Sequence, residues 1–171
     1  MLSYKESLKI LKETNALLDG HFILSSGLHS AQYIQCAQLL SKPDKSSDFC
    51  KSLAEKISNN LKEIDLILSP AMGGIVIGYE MGRLLKKETI FSERVDGKFK
   101  LRRDFKILKK SKVLIVEDVI TTGRSSVECS KLVELAEAEV VGFACLIDRS
   151  GGNSSVDKKI VSQIEINIPT Y

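Results

Sequence analysis

The feature that most constrains the fold of this chain is a buried-strand pattern leading into a polar turn. Val113–Val116 is apolar and rich in β-branched residues, as expected of a strand that is buried on both faces. Glu117 and Asp118 follow, and Thr121–Ser125 (Thr-Thr-Gly-Arg-Ser, the phosphate turn below) then leads into a helical pattern. Open α/β sheets bind ligands at the carboxyl ends of their strands. The pattern therefore predicts an α/β domain with a binding site at this turn.

The chemistry of the same stretch favours a sugar phosphate as the ligand. The turn can direct backbone N–H groups and hydroxyls at a phosphate, helped by the positive end of the helix dipole. Glu117 and Asp118 would repel that phosphate, so we expect them to face sugar hydroxyls or a metal ion. An ordinary buried strand with a polar loop explains Val113–Val116, but it does not explain two adjacent acids against a hydroxyl-rich turn. The stretch therefore predicts a site for a ribose 5-phosphate unit.

Length and composition are those of a single soluble domain over residues 1–171, which is long enough to bury a substantial core. No apolar run approaches membrane-spanning length, and Met1–Glu6 is not a signal peptide, so we expect no membrane contact. His21 and His29 are too few for a zinc site. The cysteines lie in apolar patterns without metal-ligand spacing. We expect them to be reduced core residues of a cytoplasmic protein: Cys36, Cys50, Cys129 and Cys145.

The stretch 113–125 resembles the signature of the type I phosphoribosyltransferases, which bind 5-phosphoribosyl 1-diphosphate (PRPP). The resemblance implies a central, mainly parallel twisted sheet flanked by helices, with a small N-terminal hood (residues 1–40) and a flexible basic hairpin. It also implies that the acidic pair contacts the ribose hydroxyls and that the turn wraps the 5-phosphate. The implied PRPP-binding residues here are Glu117, Asp118, Val119, Ile120, Thr121, Thr122, Gly123, Arg124 and Ser125.

Hydrophobic periodicity places the remaining elements. It predicts helices over residues 3–18, 47–61, 75–86 and 124–139. It predicts buried strands over 65–69 and 140–147, and an edge strand over 163–168. Residues 40–45 are predicted to form a loop around Pro43.

His21–Cys36 predicts, by itself, only two short extended pieces around a Ser-Ser-Gly turn. Beside the motif, the segment resembles the N-terminal part of orotate phosphoribosyltransferases, where a Phe-x-Leu-x-Ser-Gly element forms part of the wall over the orotate ring. The resemblance implies that Ser26 and Gly27 contact orotate. Other branches of the family carry a lysine where this chain has Ser25.

Pro70–Gly74 (Pro-Ala-Met-Gly-Gly, the pyrophosphate loop below) leads from a predicted strand into a predicted helix. Such a junction can bind an anion, although a tight turn with glycines for close packing explains the same residues. The resemblance implies that Gly73 and Gly74 offer backbone amides to the diphosphate of PRPP. Some orotate enzymes have a lysine at the position of Gly73.

Residues 91–102 predict a hairpin, because Asp96-Gly97 is a strong two-residue turn signal. Its second arm alternates Lys, Phe, Lys, Leu and Arg, and residues 93–110 contain eight Lys or Arg against three acids. One interpretation is a solvated edge whose lysines discourage aggregation. The other, favoured by nearness to the motif, is a mobile arm that closes over the diphosphate. The pattern resembles the short-loop branch of orotate phosphoribosyltransferases, which implies Arg94 and Lys98 as catalytic cations.

Asp148–Gly152 (Asp-Arg-Ser-Gly-Gly) follows the last predicted buried strand. A lone arginine in a glycine-rich loop is usually solvated, but in orotate enzymes this place is the pyrimidine-recognition point. The resemblance therefore implies that Arg149 binds orotate, with Thr121 near the base. The two carbonyls and the carboxylate of orotate suit a guanidinium fork better than a lysine point charge.

The resemblance covers nearly the whole chain and implies transfer of the phosphoribosyl group from PRPP to orotate, giving orotidine 5′-monophosphate and diphosphate. Glu117, Asp118, Lys98 and Arg94 would be the catalytic residues, and catalysis would be mostly electrostatic and positional. The implied cofactor is Mg²⁺ carried by PRPP, with no direct metal ligand from the protein. The implied assembly is a homodimer with a shared active site.

Two other functions are compatible with the motif. One is a phosphoribosyltransferase for another base, such as a purine, because the stretch 113–125 is shared by the superfamily. The other is a regulator that senses PRPP and binds nucleic acid through the basic stretch. We expect no nucleic-acid partner, since the chain has no spare segment for a helix-turn-helix and its basic residues lie on a hairpin beside the site.

Overall fold

The computed structural model describes residues 1–171 and contains five helices and eight strands. None of the helices combines the length and the apolar character needed to cross a membrane. The helices are α1 (Tyr4–Glu13), α2 (Cys36–Leu40), α3 (Pro43–Asn60), α4 (Gly74–Leu85) and α5 (Arg124–Leu135). The strands are β1 (Leu17–Ile23), β2 (His29–Ile34), β3 (Leu66–Pro70), β4 (Glu88–Val95), β5 (Lys98–Leu101), β6 (Lys112–Ile120), β7 (Glu139–Asp148) and β8 (Ile160–Glu165).

Six strands form one sheet in the order β5-β4-β3-β6-β7-β8. Every neighbouring pair is parallel except β4 and β5, which form the antiparallel basic hairpin at one edge. The predicted α/β fold with a mainly parallel central sheet is confirmed. β6 lies in the interior of the sheet, and Val113–Val116 is fully buried there, because each face of this strand is covered by helices.

Two hydrophobic clusters cover the two faces of the sheet. The larger has 23 buried residues and lies under α1, α3 and α4, where Phe49, Leu53 and Ile77 pack on the sheet. The smaller has 13 and lies under α5, where Val133 packs with Phe99 of the hairpin. All four cysteines are free and buried, as predicted.

The N-terminal helix is shorter than predicted. Its start is as expected, since the side chains of Ser3 and Glu6 form a capping box. It ends at Glu13 rather than Leu18, because Asn15 has a positive φ of 60° and Leu17 already pairs with Ile34 of β2. The prediction of helix over residues 14–18 was therefore wrong: strand pairing overrides the apolar stripe.

The predicted loop at residues 40–45 was also wrong. Cys36–Leu40 is a short helix, and Pro43 opens α3 instead of separating two elements. A proline is well suited to the first helical position, because its missing N–H has no helical partner there. The other predicted helices and strands agree in type, with ends that differ by up to a few residues.

Candidate active site

The acidic pair lies within β6 rather than after it. The strand continues through Ile120, because Val119 and Ile120 pair with Ile147 and Asp148 of β7. Successive side chains of a strand point to opposite faces, so Glu117 and Asp118 diverge. The prediction that the strand stops before the acids was wrong, and the two carboxylates do not act as one patch on one face.

Glu117 lies on the face covered by α5. It is only 8% exposed, and its carboxylate accepts a hydrogen bond from the hydroxyl of Ser126 in the first turn of α5. Burial raises the pKa of Glu117 to about 7, against the opposing effect of the Ser126 hydrogen bond. At neutral pH this side chain is therefore partly protonated, and it can both accept and donate hydrogen bonds.

Asp118 lies on the opposite face, beneath the pyrophosphate loop. Its Oδ1 accepts from the N–H of Val119 at 2.8 Å, and a Cβ atom added to Gly73 would lie 2.8 Å from its Oδ2. Burial raises the pKa of Asp118, while backbone hydrogen bonds oppose the change. The thiol of Cys36, which follows the hood strands, lies 3.9 Å from the carbonyl oxygen of Asp118. Asp118 thus contacts the loop predicted to hold diphosphate and does not point into the apolar core.

The phosphate turn encloses one side of a cavity of about 300 Å³. Gly123 has a φ of 79°, a left-handed conformation that glycine adopts without strain. Thr121 and Thr122 are exposed, with their hydroxyls available to a ligand. The cavity is lined by Glu117, Val119, Ile120, Thr121, Thr122, Gly123, Arg124 and Ser125. The structure thus brings together the predicted PRPP residues of this stretch apart from Asp118.

Two helix N-termini adjoin this region, and neither has a side-chain cap. α4 begins after Gly73 and α5 begins after Gly123, and no side chain hydrogen-bonds to the first turn of either helix from its cap position. The first N–H groups of a helix need partners and attract anions. The two glycine-capped ends therefore suit two separate phosphate groups, one at each loop.

The two predicted catalytic cations, Arg94 and Lys98, lie on opposite faces of the basic hairpin. Arg94 faces α5: its guanidinium lies 4.1 Å from the centre of the Phe99 ring and its Nη1 lies 2.8 Å from Oε2 of Glu128. The other carboxylate oxygen of Glu128 accepts from Nε of Arg124 at 3.0 Å. Glu128 therefore joins the hairpin to the phosphate turn. Lys98 is exposed on the opposite face and makes no contact with the rest of the site.

Arg149 lies where the sequence predicts, directly after β7. Its N–H donates to the carbonyl oxygen of Ile120 at 2.8 Å, which fixes the start of the loop next to the phosphate turn. Its Nε is buried without a hydrogen-bond partner, and burial lowers the pKa of the guanidinium. A buried guanidinium N–H needs an acceptor, and an incoming carbonyl or carboxylate could supply one.

Ser26 and Gly27 lie at the exposed tip of the hood hairpin. The N–H of Gly27 donates to the carbonyl oxygen of Leu24 at 2.8 Å, so the tip is a tight turn as predicted. Nothing lies within 4 Å of a Cβ atom added to Gly27. The structure does not bring these two residues into contact with the other predicted site residues.

Sequence reasoning missed three residues that support the site: Ser126, Glu128 and Ser155. Ser126 lies on the buried face of α5 with Cys129 and Val133, whereas Glu128, two residues later, lies on a different side of the helix. A helical wheel gives no partner for either residue. The hydroxyl of Ser155 donates to the carbonyl oxygen of Thr122 at 2.9 Å, a contact across 33 residues with no local signal.

Comparisons with known proteins agree with this geometry. Residues 38–170 match the family model of the phosphoribosyl transferase domain. The orotate phosphoribosyltransferase of Erythrobacter litoralis is 47% identical over 168 residues, which cover 98% of this chain and 87% of that protein. The orotate phosphoribosyltransferase of Parvibaculum lavamentivorans is 49% identical over 167 residues, or 95% of this chain and 86% of that protein.

A solved structure gives the same result. The crystal structure of orotate phosphoribosyltransferase from Aeropyrum pernix matches with a TM-score of 0.79 at 25% identity, covering 92% of each chain. The similarity therefore spans the hood strands, the sheet and the C-terminal loop together. This chain belongs to the phosphoribosyl transferase family and, within it, to the orotate phosphoribosyltransferases.

Proposed function

We propose that this protein transfers the 5-phosphoribosyl group of PRPP to N1 of orotate, which yields orotidine 5′-monophosphate and diphosphate, a step in the formation of UMP. The observation that carries this proposal is the cavity at the end of β6, lined by Glu117 and the phosphate turn and closed by the uncapped end of α5. The relatives described above bear the name of this activity.

The geometry supports a catalytic role for charge and position rather than for a protein nucleophile. The anomeric carbon of PRPP gains positive character as diphosphate leaves, and fixed negative groups stabilise such a state. Glu117 lines the cavity and would contact the ribose there, whereas Asp118 would contact it at the end of β6, from the side of the pyrophosphate loop. A partly protonated Glu117 repels the nearby 5-phosphate less than a full carboxylate would, and it can donate a hydrogen bond to a sugar oxygen.

The departing diphosphate would lie at the pyrophosphate loop, where α4 offers its first N–H groups. Lys98 and Arg94 are the cations proposed to stabilise the leaving group. Arg94 would act from its place between Glu128 and the ring of Phe99, whereas the side chain of Lys98 is exposed and makes no ion pair. Arg149, with its unpartnered Nε, is proposed to orient orotate.

Mg²⁺ is the proposed cofactor, bound to PRPP rather than to a protein cage. No three His, Cys, Asp or Glu side chains converge in the structure, so a Mg²⁺ ion here would need most of its oxygen ligands from PRPP and water, as this ion commonly does in phosphate sites. Bound Mg²⁺ would neutralise part of the charge on the diphosphate.

We also propose a homodimer with a shared active site. An exposed apolar strip runs from the pyrophosphate loop along α4: Met72, Val76 and Tyr79 are 86%, 56% and 69% exposed. Such a strip next to a site is typical of a protein interface. If each site needs both subunits, mixing a Lys98→Ala variant with an Asp118→Asn variant should recover activity that neither has alone. Sedimentation as a monomer with full activity would contradict this assembly.

The proposed location is the cytoplasm, which fits four free and buried thiols. No nucleic-acid partner is proposed. Three basic side chains of residues 93–110 are paired with acids: Arg94 with Glu128, Arg103 with Glu93 and Lys109 with Glu137.

The test is a PRPP-dependent assay in the presence of Mg²⁺ with orotate, uracil, adenine, guanine and xanthine as acceptors. We expect turnover with orotate alone. Turnover with a purine and none with orotate would contradict the proposal and would instead identify a purine phosphoribosyltransferase. Retention on DNA at moderate salt without turnover of any base would instead favour the PRPP-sensing regulator.

A further inference from the structure

The phosphate turn is held from outside by a different loop. The N–H and the hydroxyl of Ser155 both donate to the carbonyl oxygen of Thr122, at 2.8 and 2.9 Å. Next to it, Val156 lies against Gly123: a Cβ atom added to Gly123 would come within 2.7 Å of Cγ2 of Val156. These contacts join residues that are more than 30 positions apart, so they are not a by-product of local chain geometry.

The carbonyl of Thr122 needs such a partner for an electrostatic reason. A turn that binds a phosphate must present its N–H groups to the ligand and keep its carbonyl oxygens turned away, because a carbonyl oxygen repels an anion. Within the turn itself, side-chain support is weak, since the only such bond is from the N–H of Arg124 to Oγ1 of Thr122 at 3.3 Å. The two donors of Ser155 supply the missing restraint.

The same loop also carries the proposed orotate-binding residue. It starts at Arg149, whose N–H bonds the carbonyl oxygen of Ile120, and it returns to the phosphate turn at Ser155 and Val156. The loop therefore contacts the strand-to-turn segment at both ends. A displacement of the loop at Arg149 would be transmitted to Thr122 through these contacts.

We propose that Ser155 and Val156 are positioning residues that brace the phosphate turn and so determine the affinity of this enzyme for the 5-phosphate of its substrate. The inference deepens the proposed function and rests on it. It assigns these two residues a role in binding through Thr122 and Gly123, with no contact of their own to the reacting atoms.

The test separates the two phosphate sites by using a different probe for each. Ribose 5-phosphate carries only the group that the phosphate turn should bind, and inorganic diphosphate with Mg²⁺ reports on the pyrophosphate loop. The variants are Ser155→Ala, Val156→Ala and the double variant, with Ser155→Thr as the rescue because it keeps the hydroxyl. Asn153→Ala is the matched control, since Asn153 is an exposed residue of the same loop whose side chain reaches only the neighbouring Gly151.

Calorimetric titration of Ser155→Ala should show about fivefold weaker binding of ribose 5-phosphate, the effect of one ordinary hydrogen bond, and a similar rise in the KM for PRPP. Binding of diphosphate should stay within about twofold of wild type, and kcat should change less than KM. Ser155→Thr and Asn153→Ala should behave like wild type, and the double variant should be the weakest binder.

Each other result is decisive. If Ser155→Ala weakens the binding of both ligands equally, the substitution causes a general loss of structure, and the proposed role of Ser155 as a brace is overturned. Unchanged binding of ribose 5-phosphate in the double variant would overturn it as well, while leaving the proposed function intact. If the wild-type protein binds neither ligand and turns over no PRPP, the proposed function is refuted. The proposed role of Ser155 and Val156 is then refuted as well.

Discussion

Replacement of Gly73 by alanine tests whether the pyrophosphate loop and the acidic pair depend on each other. The backbone at Gly73 is helical, with φ −61° and ψ −29°, so alanine introduces no backbone strain. Its Cβ atom would lie 2.8 Å from Oδ2 and 3.1 Å from Cγ of Asp118. The substitution is therefore a steric probe aimed at one carboxylate.

The magnitude follows from these distances. Comfortable contacts between carbon and its neighbours are about 3.5 Å, so the carboxylate must move by roughly 0.5 Å or more. A misplacement of about 1 Å can cost about a hundredfold in rate, and we therefore expect kcat/KM for PRPP to fall about tenfold. The free energy of unfolding should change by less than about 1 kcal/mol, because a glycine-to-alanine change at a compatible backbone is mildly stabilising and offsets the small displacement.

The assay compares steady-state kinetics and urea unfolding of Gly73→Ala with those of wild type, and then repeats the substitution in an Asp118→Ala background. Without the carboxylate the added methyl group has nothing to displace, so the two changes should be strongly non-additive. A tenfold loss that persists in the Asp118→Ala background would mean that the methyl group obstructs diphosphate directly. Wild-type kinetics in the single variant would refute the steric reasoning itself.

Three further predictions concern the charged residues of the site. Lys98→Ala should lower kcat. The free energy of unfolding should change by less than about 0.5 kcal/mol, because the side chain is exposed and unpaired. An unaltered kcat would support the interpretation of the hairpin as a solvated edge without a catalytic role. Glu128→Gln should release the guanidinium groups of Arg94 and Arg124 and lower kcat/KM for PRPP up to about fivefold, and an unchanged value would show that these ion pairs do not position the hairpin. The pKa of Glu117 is about 7 in the folded protein, against a reference value of 4.5, so the folded state binds a proton more tightly than the unfolded state does. The contribution of Glu117 to the free energy of unfolding is therefore complete below pH 4.5 and is lost as the pH rises through 7. In urea titrations, the unfolding free energy of the wild type should therefore fall by about 2 to 3 kcal/mol more than that of Glu117→Gln between pH 4.5 and pH 8. If the unfolding free energies of the two proteins change in parallel with pH, burial does not raise the pKa of Glu117.

The motif at residues 113–125 could be predicted because its signals are local. The apolar run of β6, the glycine of the turn and the start of α5 are each specified within a few residues. The Asp96-Gly97 hairpin was predicted for the same reason: both residues adopt the positive φ that a two-residue turn requires.

The errors arise where a distant partner decides the structure. Leu17 fits the predicted helix in the sequence, but in the structure it pairs with Ile34 of β2. Strand β6 extends past the acids because β7 continues beside it. The divergence of Glu117 and Asp118 follows from that extension. The ion pair between Arg94 and Glu128 was not predicted either, because no short-range pattern connects Glu128 with the hairpin.

The position of β6 in the interior of the sheet has a consequence for the order in which parts of the molecule lose structure. The amide groups of Val113–Val116 are surrounded by β3 and β7, so we expect them to exchange hydrogen with solvent only through opening of the whole domain. β5 has a single neighbour, and its amides should exchange by local fraying. In mild denaturant the enzyme should therefore lose turnover, with the hairpin, before it loses the ability to hold a sugar phosphate.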